Sequence, residues 1–153
     1  MDFGLKGRTA IVTGASGGIG GAIARDLARE GVNLALCYNL HECNELADEI
    51  RKSGQEVIVI KGDVSKADEA RKLVRSSYDK FGRIDILVNN AGIAVRGSIE
   101  DTKEEDWDRI MAVNLKSVFL LSQVVSPYMK QRKWGRIINI GSVVAKTSTN
   151  ARP

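Results

Sequence analysis

Thr13-Gly14-Ala15-Ser16-Gly17-Gly18-Ile19-Gly20 is the stretch of sequence that decides the fold. It follows a short β-branched, apolar run at 8–13 and precedes a segment, 18–30, whose apolar residues recur at helical spacing. Glycines here let the backbone turn tightly, and a helix that begins here directs free N–H groups at an anion. The spacing is Gly-x3-Gly-x-Gly, and the sequence has no Gly-Lys pair, which excludes a Walker-type phosphate loop. The position of this turn therefore favours a dinucleotide-binding site. The alternative is that its glycines serve only to allow positive φ.

The rest of the chain repeats this alternation of strand and helix. Its strand segments are nearly continuous apolar runs, which is typical of strands buried on both faces of a parallel sheet. Right-handed crossovers make such a sheet doubly wound. We therefore predict an α/β fold of the Rossmann type, with one dinucleotide-binding domain over 1–153. The five predicted strands are 8–13, 33–38, 56–61, 84–88 and 136–140.

Several helix ends are also predicted from local patterns. Ser65 is expected to cap the third helix, and Thr102–Glu105 reads as a capping box that opens a long helical stretch. Asn114 is a poor helix former, so we expect a break near it. Pro127 is expected to bend or end the same stretch.

Composition narrows the class of protein. The 153 residues are 43% hydrophobic and carry a net charge of +4, with basic and acidic residues interleaved, so no nucleic-acid partner is expected. No run of apolar residues is long enough to predict a membrane span, and the first residues do not resemble a signal peptide. Cys37, His41 and Cys43 lie close together but lack a fourth ligand, so no metal site is expected. These features predict a cytoplasmic protein.

Several motifs of this sequence resemble those of the short-chain dehydrogenase/reductase family. The glycine-rich stretch 13–20 is similar to its TGxxxGIG motif, and Asn89–Gly92 matches its NNAG motif. Asp63-Val64 resembles its adenine-contacting pair, while Asn114 and Ser142 match its helix asparagine and its catalytic serine. The motifs occur in the family's order, each at a predicted element boundary, and the resemblance covers essentially the whole chain.

The resemblance implies a role for each matching residue. Ser142 would polarise the substrate oxygen, and Asn114 would hold a water of the proton relay. Asp63 would accept a hydrogen bond from the adenine amino group, and Asn90-Ala91-Gly92 would lie beside the adenosine ribose. The residues that we expect to bind the cofactor are Thr13, Gly14, Ser16, Gly18, Ile19, Gly20, Tyr38, Asn39, Asp63, Val64, Asn90, Ala91 and Gly92.

The end of the second strand bears on the choice of cofactor. An acidic residue there binds the ribose 2′-hydroxyl of NAD and repels the 2′-phosphate of NADP. This chain has Tyr38-Asn39 instead, with no carboxylate until Glu42, which favours NADP(H) over NAD(H). Gly17 opposes that reading, because it stands where relatives that prefer NADP often carry a basic residue.

The chain departs from the family after Ser142. The family's proton donor is a Tyr-x-x-x-Lys pair, whereas Lys146 has no tyrosine four residues before it. We therefore expect the domain to be incomplete at its C-terminus, with the fifth strand and the helix around 118–129 left uncovered. The resemblance also implies a homodimer or homotetramer when the protein is complete.

The predicted function is an oxidoreductase that transfers hydride between a nicotinamide and a carbonyl or secondary alcohol. Within the family, the Tyr38-Asn39 stretch and the segment from Glu104 to Val144 look most like the 3-oxoacyl-acyl-carrier-protein reductases of fatty acid synthesis and similar broad carbonyl reductases. The substrate would then be a small carbonyl compound or alcohol, or one bound to acyl carrier protein, for which Arg96 is a candidate contact. Two alternatives remain: a non-catalytic dinucleotide-binding module or pseudoenzyme, and a methyltransferase-like domain that binds S-adenosylmethionine.

Overall fold

The computed structural model describes residues 3–95 and 97–142. The elements are β1 Thr9–Thr13, α1 Gly18–Arg29, β2 Asn33–Tyr38, α2 Asn44–Lys52, β3 Val57–Lys61, α3 Ala67–Phe81, β4 Ile86–Asn89, α4 Glu104–Met111, a π-helical turn Ala112–Lys116, α5 Ser117–Gln131 and β5 Arg136–Asn139. The strands form a central parallel sheet with the order β3-β2-β1-β4-β5. The predicted strand positions and the doubly wound α/β fold are confirmed.

Helices cover both faces of the sheet, and the alternation along β1 shows how. Ala10 and Val12 pack with the helices α1 and α2, whereas Ile11 packs on the opposite face with α3 and α5. Every residue of β1 is buried, as expected of a central strand between β2 and β4. Each fully buried aliphatic side chain of this kind stabilises the fold by about 1.5–3 kcal/mol.

Two helix starts differ from the predicted ones. α3 begins at Ala67, because the Ser65 hydroxyl donates to Asp63 Oδ1 at 2.6 Å instead of capping the helix. Similarly, the Thr102 hydroxyl donates to the Ser98 carbonyl at 2.7 Å, and no side chain caps α4. Ser and Thr hydroxyls compete for local partners in this way, and the sequence pattern alone does not show which partner wins.

The long helical stretch is interrupted where Asn114 predicted a break, by the π-helical turn 112–116. Pro127, in contrast, lies inside α5, so the prediction that it could end the helix is wrong. Pro127 removes one N–H donor, and the carbonyl that loses it belongs to Gln123, which is exposed and can bind water instead.

The stretch Glu104–Gln131 is the one helical segment in the described part of the chain that is long and apolar enough to cross a membrane by those two criteria alone. Its mean hydropathy reaches 1.4 over an 18-residue window, although the window is not an uninterrupted apolar run. α5 packs Leu121 and Val125 into the core beside α3, and the rings of Tyr78 and Tyr128 are 4.5 Å apart. One face of α5 therefore packs into the core, whereas only 22% of the apolar window is buried.

An uncovered apolar surface lies on the side of β5. All four residues of β5 are exposed, including Ile137 and Ile138 at 39% and 45%. Phe119 on α5 and Leu115 in the π-helical turn are 61% and 60% exposed. Within residues 3–95 and 97–142, β5 and the apolar residues Leu115 and Phe119 are thus exposed, as predicted.

Candidate functional site

A cavity opens at the carboxyl ends of the parallel strands. Its volume is about 450 Å³, within the range of small-molecule sites. β1 and β4 lie next to each other at the centre of the sheet, where the chain order reverses, and open α/β sheets bind ligands at such a point. The predicted cofactor residues that line this cavity are Gly14, Ser16, Tyr38, Asn39, Asp63, Val64, Ala91 and Gly92.

Glycines in the turn after β1 are required by close backbone approach. Gly14 has a φ of +64°, and a Cβ there would lie 3.0 Å from Ala91 Cα. A Cβ at Gly20 would collide with the Gly14 carbonyl oxygen and with the side-chain amide of Asn90. Gly14 and Gly20 therefore allow the turn after β1, the start of α1 and the turn after β4 to meet.

The N-terminus of α1 is open to an anion. No side chain caps this helix, and its first turn contains no acidic residue. Ser16, Gly18 and Ile19 are exposed at the same place, and Gly18 has a φ of +53° that favours glycine. Free N–H groups and the positive end of the helix dipole suit a pyrophosphate, so the residues present fit a dinucleotide cofactor.

Thr13 and Asn90 link the turn after β1 to the turn after β4 through hydrogen bonds. The buried Thr13 hydroxyl donates to the Val88 carbonyl and accepts the N–H groups of Asn90 and Ala91, each at 3.0 Å. In return, the Asn90 side-chain amide donates to the carbonyls of Thr13 and Gly14. The Thr13 hydroxyl thus uses its hydrogen bonds within the protein and positions the two turns, whereas Asn90 also lines a pocket beside the glycine turn.

Asp63 is held in a tight turn at the end of β3. Its Oδ1 accepts the N–H and the hydroxyl of Ser65, and Lys66 Nζ lies 3.7 Å from Oδ2. Partial burial raises the pKa of Asp63, but these hydrogen bonds and the lysine charge outweigh burial and hold it below its usual value. Asp63 is therefore an anion at neutral pH on the wall of the cavity.

The end of β2 presents Tyr38 and Asn39 to the cavity. Burial, and then the negative charge of Glu42, raises the pKa of Tyr38. Glu42 Oε2 additionally accepts the side-chain amide of Asn44 at 2.7 Å. The first carboxylate after β2 thus binds the Asn44 side chain.

The two cysteines show no metal-site character. Cys37 is buried, and burial raises its pKa to about 12, so the thiol stays protonated. Burial also raises the pKa of Cys43, whereas His41 is exposed. Among residues 3–95 and 97–142, no group of His, Cys, Asp and Glu is arranged to hold a metal ion.

Asn114 and Ser142 lie near the same edge of the sheet but in different settings. The Asn114 side chain pairs twice with the backbone of Ile93, accepting its N–H at 2.8 Å and donating to its carbonyl at 2.9 Å. Asn114 thus ties the π-helical turn to the loop after β4. Ser142 is exposed three residues after β5, whose Asn139 accepts the side-chain amide of Asn89 at 2.9 Å.

Several residues that line the cavity were not predicted from the sequence. Leu40 and His41 extend the wall after β2, and Arg109 and Val113 close it from the helical side. Periodicity places Val113 on a helix but does not show that this helix turns one face to the sheet edge. Arg109 lies one helical turn before that position, which is the sequence signal that could have found it. Arg96 and Lys146 lie outside the described residues.

This combination of a doubly wound parallel sheet and a glycine-lined cavity at its switch point defines a dinucleotide-binding protein class. The sequence model of the short chain dehydrogenase family matches residues 8–153. The chain belongs to the short-chain dehydrogenase/reductase family, which confirms the resemblance inferred from its motifs.

Known relatives agree with that assignment. A 3-oxoacyl-[acyl-carrier-protein] reductase of Staphylococcus epidermidis is 40% identical over 139 residues, which are 90% of this chain and 57% of the relative. A D-beta-hydroxybutyrate dehydrogenase of Cupriavidus necator is 44% identical over 140 residues, 90% of this chain and 54% of the relative. A solved short-chain dehydrogenase/reductase variant of Serratia marcescens matches with a TM-score of 0.89 and 39% identity, over 95% of this chain and 59% of that one. The chain thus spans little more than half the length of these relatives.

Proposed function

We propose that the protein is an NAD(P)-dependent oxidoreductase that transfers hydride between a nicotinamide and a carbonyl or secondary alcohol. The observation that carries the proposal is the cavity at the β1–β4 switch point, where an uncapped helix N-terminus adjoins a turn that admits only glycine at position 14. Membership of the short-chain dehydrogenase/reductase family supports the same chemistry.

Each part of the site has a role in this proposal. The start of α1 holds the pyrophosphate through the N–H groups around Gly18. Asp63 accepts a hydrogen bond from the adenine amino group, with Val64 beside it. Ser142 donates a hydrogen bond to the substrate oxygen, where negative charge develops as hydride arrives. The nicotinamide supplies or takes up the hydride when the cofactor is bound.

Asn114 would contribute to the proton relay in a restricted way. Its side-chain amide already forms two hydrogen bonds with the backbone of Ile93. A relay water would therefore bind the hydrogen-bonding groups of Asn114 that are not used in these two bonds. The pairing also fixes the loop after β4 against the π-helical turn. Such turns are frequent at functional sites.

NADP(H) is the cofactor that we favour. Asp63 is the only acidic residue among the described residues that line the cavity, and it follows β3 instead of β2. Glu42, the first carboxylate after β2, does not line the cavity, and its Oε2 accepts the side-chain amide of Asn44. Dissociation constants for NADPH and NADH decide the preference, and a lower value for NADH would reverse it.

The substrate proposed for this site is a 3-oxoacyl group, free or carried by acyl carrier protein. The support is the similarity to a relative named as a 3-oxoacyl-[acyl-carrier-protein] reductase and to one named as a D-beta-hydroxybutyrate dehydrogenase. The first name describes reduction of a 3-oxoacyl group, and the second describes oxidation of a β-hydroxy acid. A cytoplasmic location and a homodimer or homotetramer belong to the same proposal.

The test measures NADPH oxidation by the full-length protein with a 3-oxoacyl thioester. Replacing Ser142 by Ala should lower kcat by about 100-fold or more while leaving the Kd for NADPH unchanged, because the hydroxyl acts on the substrate and not on the cofactor. Ser126→Ala removes a hydroxyl from α5 that bonds only within its helix, and it should keep full activity. NADPH binding with no turnover of any carbonyl would replace the enzyme with a non-catalytic dinucleotide-binding module.

A further inference from the structure

Among the described residues that line the cavity, one is an arginine or lysine, and it lies on the helical side. Arg109 belongs to α4, and Ala112 and Val113 follow it at the i+3 and i+4 positions. All three line the cavity, so one face of this helical segment turns toward it. Arg109 therefore borders the cavity from a helix face instead of from a loop.

Arg109 also departs from a pairing pattern that the other helices follow. Three helices contain an Asp-x-x-Arg spacing whose two side chains form an ion pair at 2.7 Å; the pairs are Asp26–Arg29, Asp48–Arg51 and Asp68–Arg71. α4 has the same spacing in Asp106 and Arg109. Within residues 3–95 and 97–142, however, the Arg109 side chain forms no ion pair or hydrogen bond, with Asp106 or with any other residue. Arg109 is thus available to a ligand.

The residues around Arg109 indicate which part of a ligand it contacts. The glycine turn and the start of α1, which suit phosphates, lie after β1. Arg109 lies among the apolar side chains of Ala112, Val113 and Ile93, and the cavity wall also contains the Asp63 carboxylate. A phosphate would be repelled by that carboxylate, whereas a flat heterocycle would not. A planar guanidinium stacks on aromatic faces and binds them through cation–π attraction.

We propose that Arg109 is a cofactor-binding residue that stacks its guanidinium on the adenine base, in the cavity that Asp63 also lines. This inference rests on the proposed dinucleotide function and adds a base-binding residue to it. Arg109 contributes affinity for the adenosine half of the cofactor and takes no part in hydride transfer.

The test is equilibrium titration of the full-length protein with ADP-ribose, which contains the adenine and the pyrophosphate but no nicotinamide. Arg109→Met keeps a side chain of similar reach without the charged plane, and it should raise the Kd about 3- to 10-fold. Arg71→Met is the matched control, because Arg71 is an exposed helix arginine in an Asp-x-x-Arg pair away from the cavity. Its Kd should equal that of the unmodified protein.

Two further measurements separate stacking from simple charge. Arg109→Lys should restore only part of the affinity, since an ammonium group has no plane to stack. The loss in Arg109→Met should persist at about 0.5 M salt, where contacts with exposed phosphates are screened. Full rescue by lysine together with loss of the effect in salt would show that Arg109 contacts a phosphate, and the stacking role would be wrong.

The inference and the proposed function fail in different ways. If Arg109→Met binds ADP-ribose as tightly as Arg71→Met does, the role of Arg109 is overturned and the proposed function stands. If the unmodified protein does not bind ADP-ribose, NADPH or NADH, both are overturned. Arg109 is exposed, so unchanged melting temperatures will confirm that each variant is folded.

Discussion

At the residue scale, the Thr13 hydroxyl carries more of the site than its small size suggests. It accepts two N–H groups of the turn after β4 and donates to the Val88 carbonyl. Thr13→Val keeps the shape of the side chain and leaves those two N–H groups without their partner. We expect a loss of about 2 kcal/mol in unfolding free energy, because unsatisfied polar groups at buried positions are costly.

Urea unfolding measures the stability of this variant, and titration with NADPH measures the effect on the site. Thr13→Ser is the control, since it keeps the hydroxyl and removes one methyl group. The serine variant should stay within about 1 kcal/mol of the unmodified protein. Equal stability of the valine and serine variants would contradict the positioning role.

Residue types at the site could be predicted from the sequence at positions where the backbone conformation or a close backbone contact allows only certain residues. The glycine-rich turn and the NNAG segment follow strand ends in the sequence, and Gly14 is indeed confined by the backbone of Ala91. What each side chain touches was less predictable. Asn114 binds the backbone of Ile93, 21 residues away in sequence, and Thr13 is saturated by residues more than 70 positions away. Such partners depend on how the turns come together in three dimensions.

At the element scale, Asp85 secures the N-terminal ends of β1 and β4. Its side chain is 1% exposed, accepts the Thr9 N–H at 2.9 Å and binds the Arg83 guanidinium through both oxygens. Arg8 lies 3.6 Å from the same carboxylate and also stacks on the ring of Trp134, just before β5. Burial raises the pKa of Asp85, but hydrogen bonds from Arg83 and Thr9 outweigh burial and lower it below 3.8.

The lowered pKa of Asp85 makes the stability that it contributes depend on pH. A carboxyl group with a lower pKa in the folded state stabilises the fold above its unfolded-state pKa of 3.8, and this contribution is lost as the pH falls through the folded-state value. Asp85→Asn should therefore cost about 3 kcal/mol at neutral pH, where two arginines lose their buried partner. The difference from the unmodified protein should shrink as the pH falls below 3.8, through the lowered pKa of the folded state.

Unfolding by urea across this pH range provides the measurement. Asp79→Asn removes an exposed carboxylate that pairs with Arg75, and it should change stability by less than about 1 kcal/mol at every pH. A deficit of Asp85→Asn that is the same at neutral and acid pH would contradict the assignment.

Elements were predictable in kind and in order, and less so at their ends. The five strands could be read from apolar runs because each is buried by helices on both faces or paired in the sheet. The starts of α3 and α4 could not, because Ser65 and Thr102 bond to Asp63 and Ser98 instead of to the helices. Asn114 did predict an interruption, since a residue with poor helix propensity is kept there by its pairing with Ile93.

At the scale of the whole molecule, one side of the sheet is unprotected in the part that the structure describes. Ile138 on β5 is 45% exposed and Phe119 on α5 is 61% exposed. An apolar edge strand beside an apolar helix face promotes association. A polypeptide of these 153 residues alone should therefore self-associate at about 50 μM, and Ile138→Lys with Phe119→Glu should reduce the association.

Sedimentation velocity measures this association. Ile99→Lys is the control, because Ile99 is 82% exposed in a loop before α4 and belongs to neither β5 nor α5. It should leave the association unchanged. A 153-residue polypeptide that sediments as a monomer at that concentration would contradict the prediction.

The central claim is that the cavity at the β1–β4 switch point binds a nicotinamide dinucleotide, and fluorescence titration of the full-length protein with NADPH tests it most directly. We predict saturable binding that Gly14→Val weakens at least about tenfold, because the new side chain would collide with Ala91. Gly17→Ala should bind normally, since a Cβ there would have no atom within 4 Å and the backbone φ of 177° suits any residue. Absence of binding to both NADPH and NADH, or binding of S-adenosylmethionine in their place, would contradict the account.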